Sequence, residues 1–127
     1  MAEQIGWTGT GSLEVTDAAA EAVAVAPRVS LAEIEANIAA VYYTTGNRAL
    51  REVLEPEHIK PLRALTICLV VMTNGFTVLG KSAPASPENF NVELGQKLAY
   101  EDTLRQVWPL MGFALRERLS AEPHSRL

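Results

Sequence analysis

The 127-residue chain carries 11 Lys and Arg residues against 15 Asp and Glu, a net charge of −4, and 48% of its residues are hydrophobic. These values fit one soluble domain with a buried core. The few, scattered Lys and Arg residues argue against a protein that binds double-stranded nucleic acid in general. We expect a cytoplasmic location, because the sequence shows no secretory leader pattern and no run of about 18 apolar residues.

Residues 1–28 are predicted to form a disordered or weakly ordered tail. This segment has one aromatic residue, Trp7, and no sustained stripe of large apolar side chains. It therefore buries too little surface to offset the entropy of ordering its backbone. The Ala-rich run 18–26 would form a helix only if something packs against it. The rest of the chain is predicted to be a single domain over 29–120 and a frayed tail over 121–127.

A helix is predicted from Ser30, because Ser30 and Glu33 have the spacing of a capping box. Apolar residues then recur at helical spacing through Val41, which indicates a helix with one apolar face. The polar sequence 44–47 is a stop signal. The stretch that follows it is predicted to be a connector with one short helical turn over 49–54.

Two β-favouring apolar segments, 65–72 and 76–82, flank Asn74-Gly75 and predict an antiparallel hairpin. Asn and Gly suit a type I′ turn, which requires positive φ at both central residues. The first segment is apolar on both faces and is predicted to be buried on both, whereas the second is predicted to lie nearer an edge. A buried helix over 61–73 is the open alternative.

The longest predicted element is the C-terminal helix. Ser86-Pro87 is typical of a helix start, and an apolar stripe follows over 94–119. Pro109 is expected to kink or split this helix. Gly95 weakens it, so we expect a close approach of another backbone there, from the hairpin or from a second copy. The elements together predict an α+β fold: an N-terminal helix, an antiparallel β-hairpin, and a long kinked C-terminal helix packed on the hairpin.

No catalytic, cofactor or metal motif can be written through the sequence. His58, in the connector, and His124, in the tail, lack the spacing of a zinc site, and the single cysteine, Cys68, lies in an apolar run where a buried thiol is expected. The glycines form neither a P-loop nor a dinucleotide fingerprint. We therefore expect a non-enzymatic protein without cofactor or metal.

The residues before the C-terminal helix are the first candidates for binding. Asn89 and Asn91 are interpreted primarily as helix caps and alternatively as ligand contacts, since free N–H groups at a helix start favour anions. Aromatic side chains predicted to anchor the core or an interface are Phe76, Phe90, Tyr100, Trp108 and Phe113.

A family resemblance is carried by several short motifs between residues 74 and 113. They are Asn74-Gly75-Phe76-Thr77-Val78, Gly80, Ser82-Ala83, Pro87, Asn89-Phe90, Gly95, Ala99-Tyr100, Trp108-Pro109-Leu110 and Gly112-Phe113. Over about residues 29–119 the chain resembles the small bacteriophage family called gene-49/gene-66-like, after coliphage N-four and Shigella phage Sf-six. Asn91 departs from the pattern where an acidic residue is expected, and Met111 where Glu is common. The resemblance implies a phage or prophage origin and brings no catalytic residues.

We expect a small phage protein of this kind to act by binding, with three hypotheses. The first is an accessory module that binds a host or phage protein, as a homo-oligomer formed through the hairpin edge and the long helix. The second is sequestration of a small anionic ligand, such as a nucleotide immune signal of anti-phage defence, in a pocket between subunits near Lys81, Asn89, Asn91 and Arg105. The third is an enzyme without a recognisable motif. Neither nucleic acid nor a membrane is an expected partner.

Overall fold

A computed structural model describes residues 12–122 of the chain. Helices and a three-stranded antiparallel sheet of order β1-β2-β3 form the fold, which confirms the predicted α+β class. Residues 38–104 make one compact unit, the sheet unit, and residues 12–37 with 105–122 make another, the helical unit. The elements are α1 (Ser12–Val23), α2 (Leu31–Ala36), β1 (Ile38–Thr45), α3 (Gly46–Ala49), α4 (Pro56–Arg63), β2 (Thr66–Met72), β3 (Thr77–Ser82) and α5 (Val92–Ala121), with a 3₁₀ turn at Pro87–Asn89.

The sheet unit buries one face of its sheet against the first part of α5. β2 is the central strand, and its Cys68 side chain is fully buried on this face. Gly80 of β3 lies against the backbone carbonyl oxygen of Ala99, and Gly95 of α5 lies against Oγ1 of Thr66. A Cβ atom at either glycine would collide with these atoms, so the two glycines set how closely the helix approaches the sheet. A close approach at Gly95 is confirmed, but the neighbour is the Thr66 side chain of the hairpin and not the backbone that was expected.

The helical unit is held by polar contacts to the segment before α2. Asp17 of α1 accepts hydrogen bonds from the Arg28 guanidinium at 2.7 Å and from the Leu31 backbone N–H at 3.0 Å. The Trp108 indole N–H of α5 donates to the Val29 carbonyl at 3.0 Å. A cap, an ion pair and an aromatic anchor therefore fix the chain that enters α2.

Part of the segment predicted to be a tail is helical. α1 ends at Val23, four residues before Pro27, and its Ala-rich second half is the run for which a helix was the stated alternative. Residues 1–11 and 123–127 lie outside the described residues. The division into two tails and one domain therefore stays a prediction.

The helix predicted from Ser30 is shorter than expected. Its start is confirmed, because the Ser30 hydroxyl accepts the Glu33 N–H at 3.1 Å. The helix ends at Ala36, however, and residues 38–45 form strand β1 beside β2, not further helical turns. The prediction failed here because the β-branched and aromatic side chains of 38–45 favour a strand, and apolar spacing in a short run fits either structure.

Two short helices occupy the predicted connector. Instead of a turn over 49–54, α3 forms immediately after β1, and α4 includes His58, which was placed in a loop. Pro56 starts α4, where its missing N–H costs nothing, while Pro61 lies inside it. In a helix this short Pro61 removes only one backbone hydrogen bond.

The hairpin of β2 and β3 is confirmed, and the helical alternative over 61–73 is wrong. The turn is not type I′, since among the described residues only Gly75 has a positive φ, +89°. The Gly75 N–H donates to the Met72 carbonyl, and the Asn74 side chain accepts the Phe76 N–H. This three-residue connection ends in a left-handed glycine, the next most common hairpin form.

The burial of the hairpin strands follows their place in the sheet. β3 lies at an edge, as predicted. β2 is buried on one face only, because its Leu69 is 41% exposed on the other, so the predicted burial on both faces is wrong. A central strand with apolar side chains on both faces can therefore leave one of these faces exposed at the protein surface.

α5 begins later than Ser86-Pro87 indicates, because those residues belong to the 3₁₀ turn and Ser86 makes no side-chain cap. The helix runs through Pro109 to Ala121 without being split. A proline in a long helix is tolerated where the packing of its neighbours compensates for the lost hydrogen bond.

Alanine substitutions at Gly80, which is in close contact, and at Gly112, which is not, test the docking of α5. Gly80→Ala should lower the free energy of unfolding by about 2 kcal/mol or more, because the methyl group meets backbone that cannot rotate away. Gly112 lies in the same helix as Ala99, but a Cβ atom at this position would have no other atom within 4 Å. Gly112→Ala should therefore raise the free energy of unfolding by about 0.5–1 kcal/mol. Urea unfolding measures both, and equal effects would contradict the described contact.

Replacing Asp17 tests the contacts of the helical unit. Hydrogen bonding to Arg28, and secondly to the Leu31 N–H, holds the pKa of Asp17 below its ordinary value of 3.8. As the pH falls, the Asp17 carboxylate is therefore protonated in the unfolded chain before it is protonated in the folded protein. The stabilisation by the ionised carboxylate is complete above about pH 4 and is lost as the pH falls further. Asp17→Asn should lower the melting temperature at pH 7, and the difference from wild type should shrink by pH 2. A difference independent of pH would contradict the ionic contact.

Candidate functional site

A cavity of about 380 Å³ lies in the sheet unit beside the C-terminal end of β1. This volume is within the range of small-molecule sites. β1, α3, the end of α4, the first residue of β2 and the start of α5 all contribute to its wall. We call it the arginine cavity, and the lining residues that bear on its chemistry are Tyr43, Arg48, Arg63, Thr66, Phe90 and Gln96.

Two guanidinium groups give the cavity its charge. Arg48 lies in the last turn of α3, and Arg63 is the last residue of α4. Within residues 12–122 neither arginine forms an ion pair, and no carboxylate lines the cavity. Because an arginine presents a planar fork of donors, such a pair suits phosphate or carboxylate groups.

Two aromatic residues, Tyr43 and Phe90, also line the cavity. Tyr43 stands opposite Cys68 in the β1–β2 register. Burial, reinforced by the neighbouring Cys68 thiol, raises the pKa of Tyr43, so its hydroxyl stays neutral and able to donate. Burial also raises the pKa of Cys68, more than its hydrogen bond with Tyr43 lowers it, and the thiol stays protonated. Phe90, half-buried, adds an apolar ring from the segment before α5.

Thr66 contributes a buried hydroxyl to the wall. Thr66 is only 2% exposed, and its Oγ1 makes no hydrogen bond to any described residue. Leaving a buried hydroxyl unpaired costs about 1–3 kcal/mol, so such a group in a native protein calls for an explanation. The oxygen itself lies against Gly95 of α5, so the unpaired hydroxyl belongs to the packing of the helix on the sheet.

Phe90 also lines a second cavity, of about 110 Å³. Its wall is largely apolar, with Leu94 and Leu98 of α5, and it includes Asn89 and Asn91. The Asn91 side chain accepts the Leu94 N–H at 2.8 Å. Asn91 therefore caps α5, which agrees with the favoured interpretation of this residue.

The structure brings together only part of the predicted anion site. Asn89 and Asn91 share the second cavity, whereas Lys81 does not line it and instead donates its backbone N–H to the Asp102 carboxylate at 3.0 Å. Arg105 belongs to the helical unit. The ligand-binding role of these four residues stays a prediction.

The sequence reasoning missed Arg48, Arg63 and Thr66. The signal was available in principle, because the two arginines flank the ends of neighbouring strands, where Thr45 pairs with Thr66. It was hidden because β1 was interpreted as a helix. Without β1 in the sheet, nothing places α3 beside the end of α4.

The predicted aromatic anchors differ in burial. Phe76 and Phe113 are 53% and 68% exposed, so they do not lie in the core. Phe90, Tyr100 and Trp108 are half-buried, and Trp108 is held by its bond to Val29. An interface role for the exposed pair stays a prediction.

Residues 12–122 contain neither a metal-binding cluster nor a helix suited to cross a membrane. No group of three His, Cys, Asp or Glu side chains in this range is arranged to hold a metal ion. In the same part of the chain, none of the helices combines the length and the apolar character that crossing a membrane requires.

Residues 29–119 match the family described as Phage protein (N4 Gp49/phage Sf6 gene 66) family. The chain belongs to this family. The matched segment begins after α1 and includes the whole sheet unit, with the arginine cavity. This confirms the resemblance seen in the motifs of the sequence. No curated protein and no solved structure is significantly similar to the chain.

The unpaired hydroxyl of Thr66 can be tested against a paired one. Thr66→Val keeps the shape and removes the unsatisfied group, so it should raise the free energy of unfolding by about 1 kcal/mol. Thr103, equally buried, donates to the Tyr100 carbonyl at 2.6 Å, so Thr103→Val should lower it by about 1 kcal/mol. Denaturant unfolding of both variants measures the contrast, and a loss of stability in Thr66→Val would show that its hydroxyl is bonded within the protein.

Proposed function

We propose that this phage-family protein binds a small anionic ligand of the nucleotide class in the arginine cavity. The observation that carries the proposal is the meeting of Arg48 and Arg63, both without an ionic partner in residues 12–122, with the rings of Tyr43 and Phe90 in one cavity. Arginine forks suit phosphate oxygens, and aromatic rings suit the face of a base. The amide of Gln96 adds donor and acceptor groups that hydrogen-bond sugar or base edges.

The lining chemistry favours retention of the ligand over its turnover. Among residues 12–122, the cavity wall offers no carboxylate, imidazole or thiol, which are the groups most used for acid–base and nucleophilic catalysis. A phage protein that holds a nucleotide immune signal without converting it would withhold that signal from host anti-phage defence. We assign this sequestering role to the protein and place it in the host cytoplasm, where such signals act.

A second candidate function is binding to a protein partner, as a homo-oligomer or to a host or phage protein. It is favoured by the open face of the sheet, where one cross-strand row consists of Tyr42, Leu69 and Leu79, with exposed fractions of 62%, 41% and 51%. Contiguous apolar side chains on a surface mark interaction sites. The two candidates use different surfaces and do not exclude each other.

Thermal shift with a nucleotide panel tests the first candidate. Linear and cyclic mono- and dinucleotides are added to the wild type and to Arg48→Ala/Arg63→Ala. One class should raise the wild-type melting temperature by several degrees, because a ligand at 100 times its Kd stabilises by about 2.7 kcal/mol. The double variant should lose the shift, which should also weaken with salt.

The matched control is Arg51→Ala/Arg118→Ala, which changes the net charge equally at two exposed arginines outside the cavity and should keep the shift. Chromatography of the released ligand should recover it intact. A flat melting temperature across the panel, or a shift that survives in Arg48→Ala/Arg63→Ala, would remove the proposal. A converted ligand would replace sequestration with catalysis.

A further inference from the structure

The two edges of the three-stranded sheet differ in how their backbone groups are satisfied. The Met72 N–H donates to the Phe76 carbonyl at 2.8 Å, which fixes the alternation of hydrogen bonds along β3. The backbone groups of Gly80 therefore point to β2 and those of Lys81 point outward. The outward Lys81 N–H donates a hydrogen bond to the Asp102 carboxylate of α5 at 3.0 Å. A helix side chain thus occupies the hairpin edge of the sheet.

At the β1 edge, no helix side chain from the described part of the chain covers the outward groups in this way. The Gly46 N–H donates to the Leu65 carbonyl at 2.9 Å, so in the β1–β2 register the backbone groups of Tyr42 point to β2 and those of Val41 and Tyr43 point outward. Within residues 12–122 no hydrogen bond reaches the outward groups of Val41 and Tyr43. These groups are the template that another strand requires.

The sequence of β1 lacks most of the devices that keep edges apart. Its eight residues, IAAVYYTT, include no charged side chain and no proline, which natural edge strands use to prevent pairing. One irregularity is present, a shift of register between Ile38 and Ala40. The strand from Ala40 to Thr45 is regular, uncharged and rich in side chains that favour a sheet.

We infer that β1 pairs antiparallel with β1 of a second copy of this chain, so that two sheets of three strands join into one of six. Only an antiparallel pair of identical strands is related by a two-fold axis, which makes each outward N–H of one copy meet an outward carbonyl of the other. The open β1 edge is therefore complementary to itself. The inference is independent of the ligand proposed for the arginine cavity.

The direction of the backbone groups also limits the register of this pairing. A residue whose backbone groups point away from β2 must lie opposite a residue of the same kind in the second copy. Val41 or Tyr43 can therefore lie opposite Val41 or Tyr43 of the second copy, but never opposite its Tyr42. We place the pairing in the register that joins residues 40–44 of the two copies, which leaves out the irregularity near Ile38 and sets Tyr42 opposite Tyr42 of the second copy. Val41 then faces the second copy's Tyr43 on each side of the axis.

The proposed register accounts for the exposure of Tyr42. Its ring, 62% exposed on the open face, would meet its own copy across the axis, where side chains of a non-hydrogen-bonded pair lie closest. The apolar row of Tyr42, Leu69 and Leu79 would continue across the axis into the row of the second copy. Main-chain pairing supplies the geometry and the continued row supplies apolar burial, so a reversible, concentration-dependent dimer is expected.

Sedimentation velocity over a wide concentration range, with four single variants, tests the pairing. Val41→Pro removes an N–H that has no bond to residues 12–122 and so spares the β1–β2 ladder. Tyr42→Lys places two like charges opposite each other at the axis. The controls are Val41→Thr, which keeps the N–H, and Leu79→Lys, which places a charge on the same face at β3. None of the three positions lines the arginine cavity.

The wild type, Val41→Thr and Leu79→Lys should dimerise as the concentration rises, while Val41→Pro and Tyr42→Lys should stay monomeric with circular dichroism spectra like that of the wild type. A wild type that is monomeric at every concentration would overturn the inference. So would a Val41→Pro dimer, or dissociation by Leu79→Lys alone, which would place the contact on the open face. If Val41→Pro fails to fold, Tyr42→Lys decides in the same way.

Discussion

The close contact between α5 and one face of the sheet is the constraint on which the sheet unit depends. It is possible only because Gly80 has no side chain where the Ala99 carbonyl lies, and because Gly95 has none where Thr66 lies. Interiors are dense enough that one methyl group at such a point is felt. The residues that permit the contact are therefore not interchangeable with alanine, although alanine would favour the helix.

The position of α5 on the sheet determines what each surface can do. The buried face is filled, the opposite face keeps its apolar row exposed, and Asp102 reaches the outward N–H of Lys81 at the β3 edge. The start of the helix comes to lie beside the end of β1, and the arginine cavity forms between them. Over residues 12–122, one packing arrangement thus leaves a charged cavity, an open sheet face and an uncovered β1 edge, and each is a surface suited to binding.

The sequence predicted the features that depend on local chemistry. The cap at Ser30, the reversal after Met72, the edge position of β3 and the close approach at Gly95 follow from side-chain size, turn conformation and hydrogen-bonding capacity within a few residues. The family resemblance, carried by the second half of the chain, agreed with the match over residues 29–119.

What failed depends on contacts between distant residues. Residues 38–45 form a strand because β2 lies beside them, and no local pattern states that partner. The error propagated to the site, since Arg48 and Arg63 are 15 positions apart in sequence and meet only when β1 and β2 pair. A cavity built from the ends of several elements is visible only after the register of the sheet is known.

The most direct test of this account is the nuclear Overhauser spectrum of the protein. It should show cross-peaks between the α protons of Gly80 and the Thr103 methyl group, and between the α protons of Gly95 and the side chain of Thr66, because these groups are in contact. Cross-strand peaks between residues paired in β1 and β2 should accompany them. The absence of the glycine peaks, or helical sequential contacts running from residue 31 through 44, would contradict the docking of α5 and the sheet beneath it.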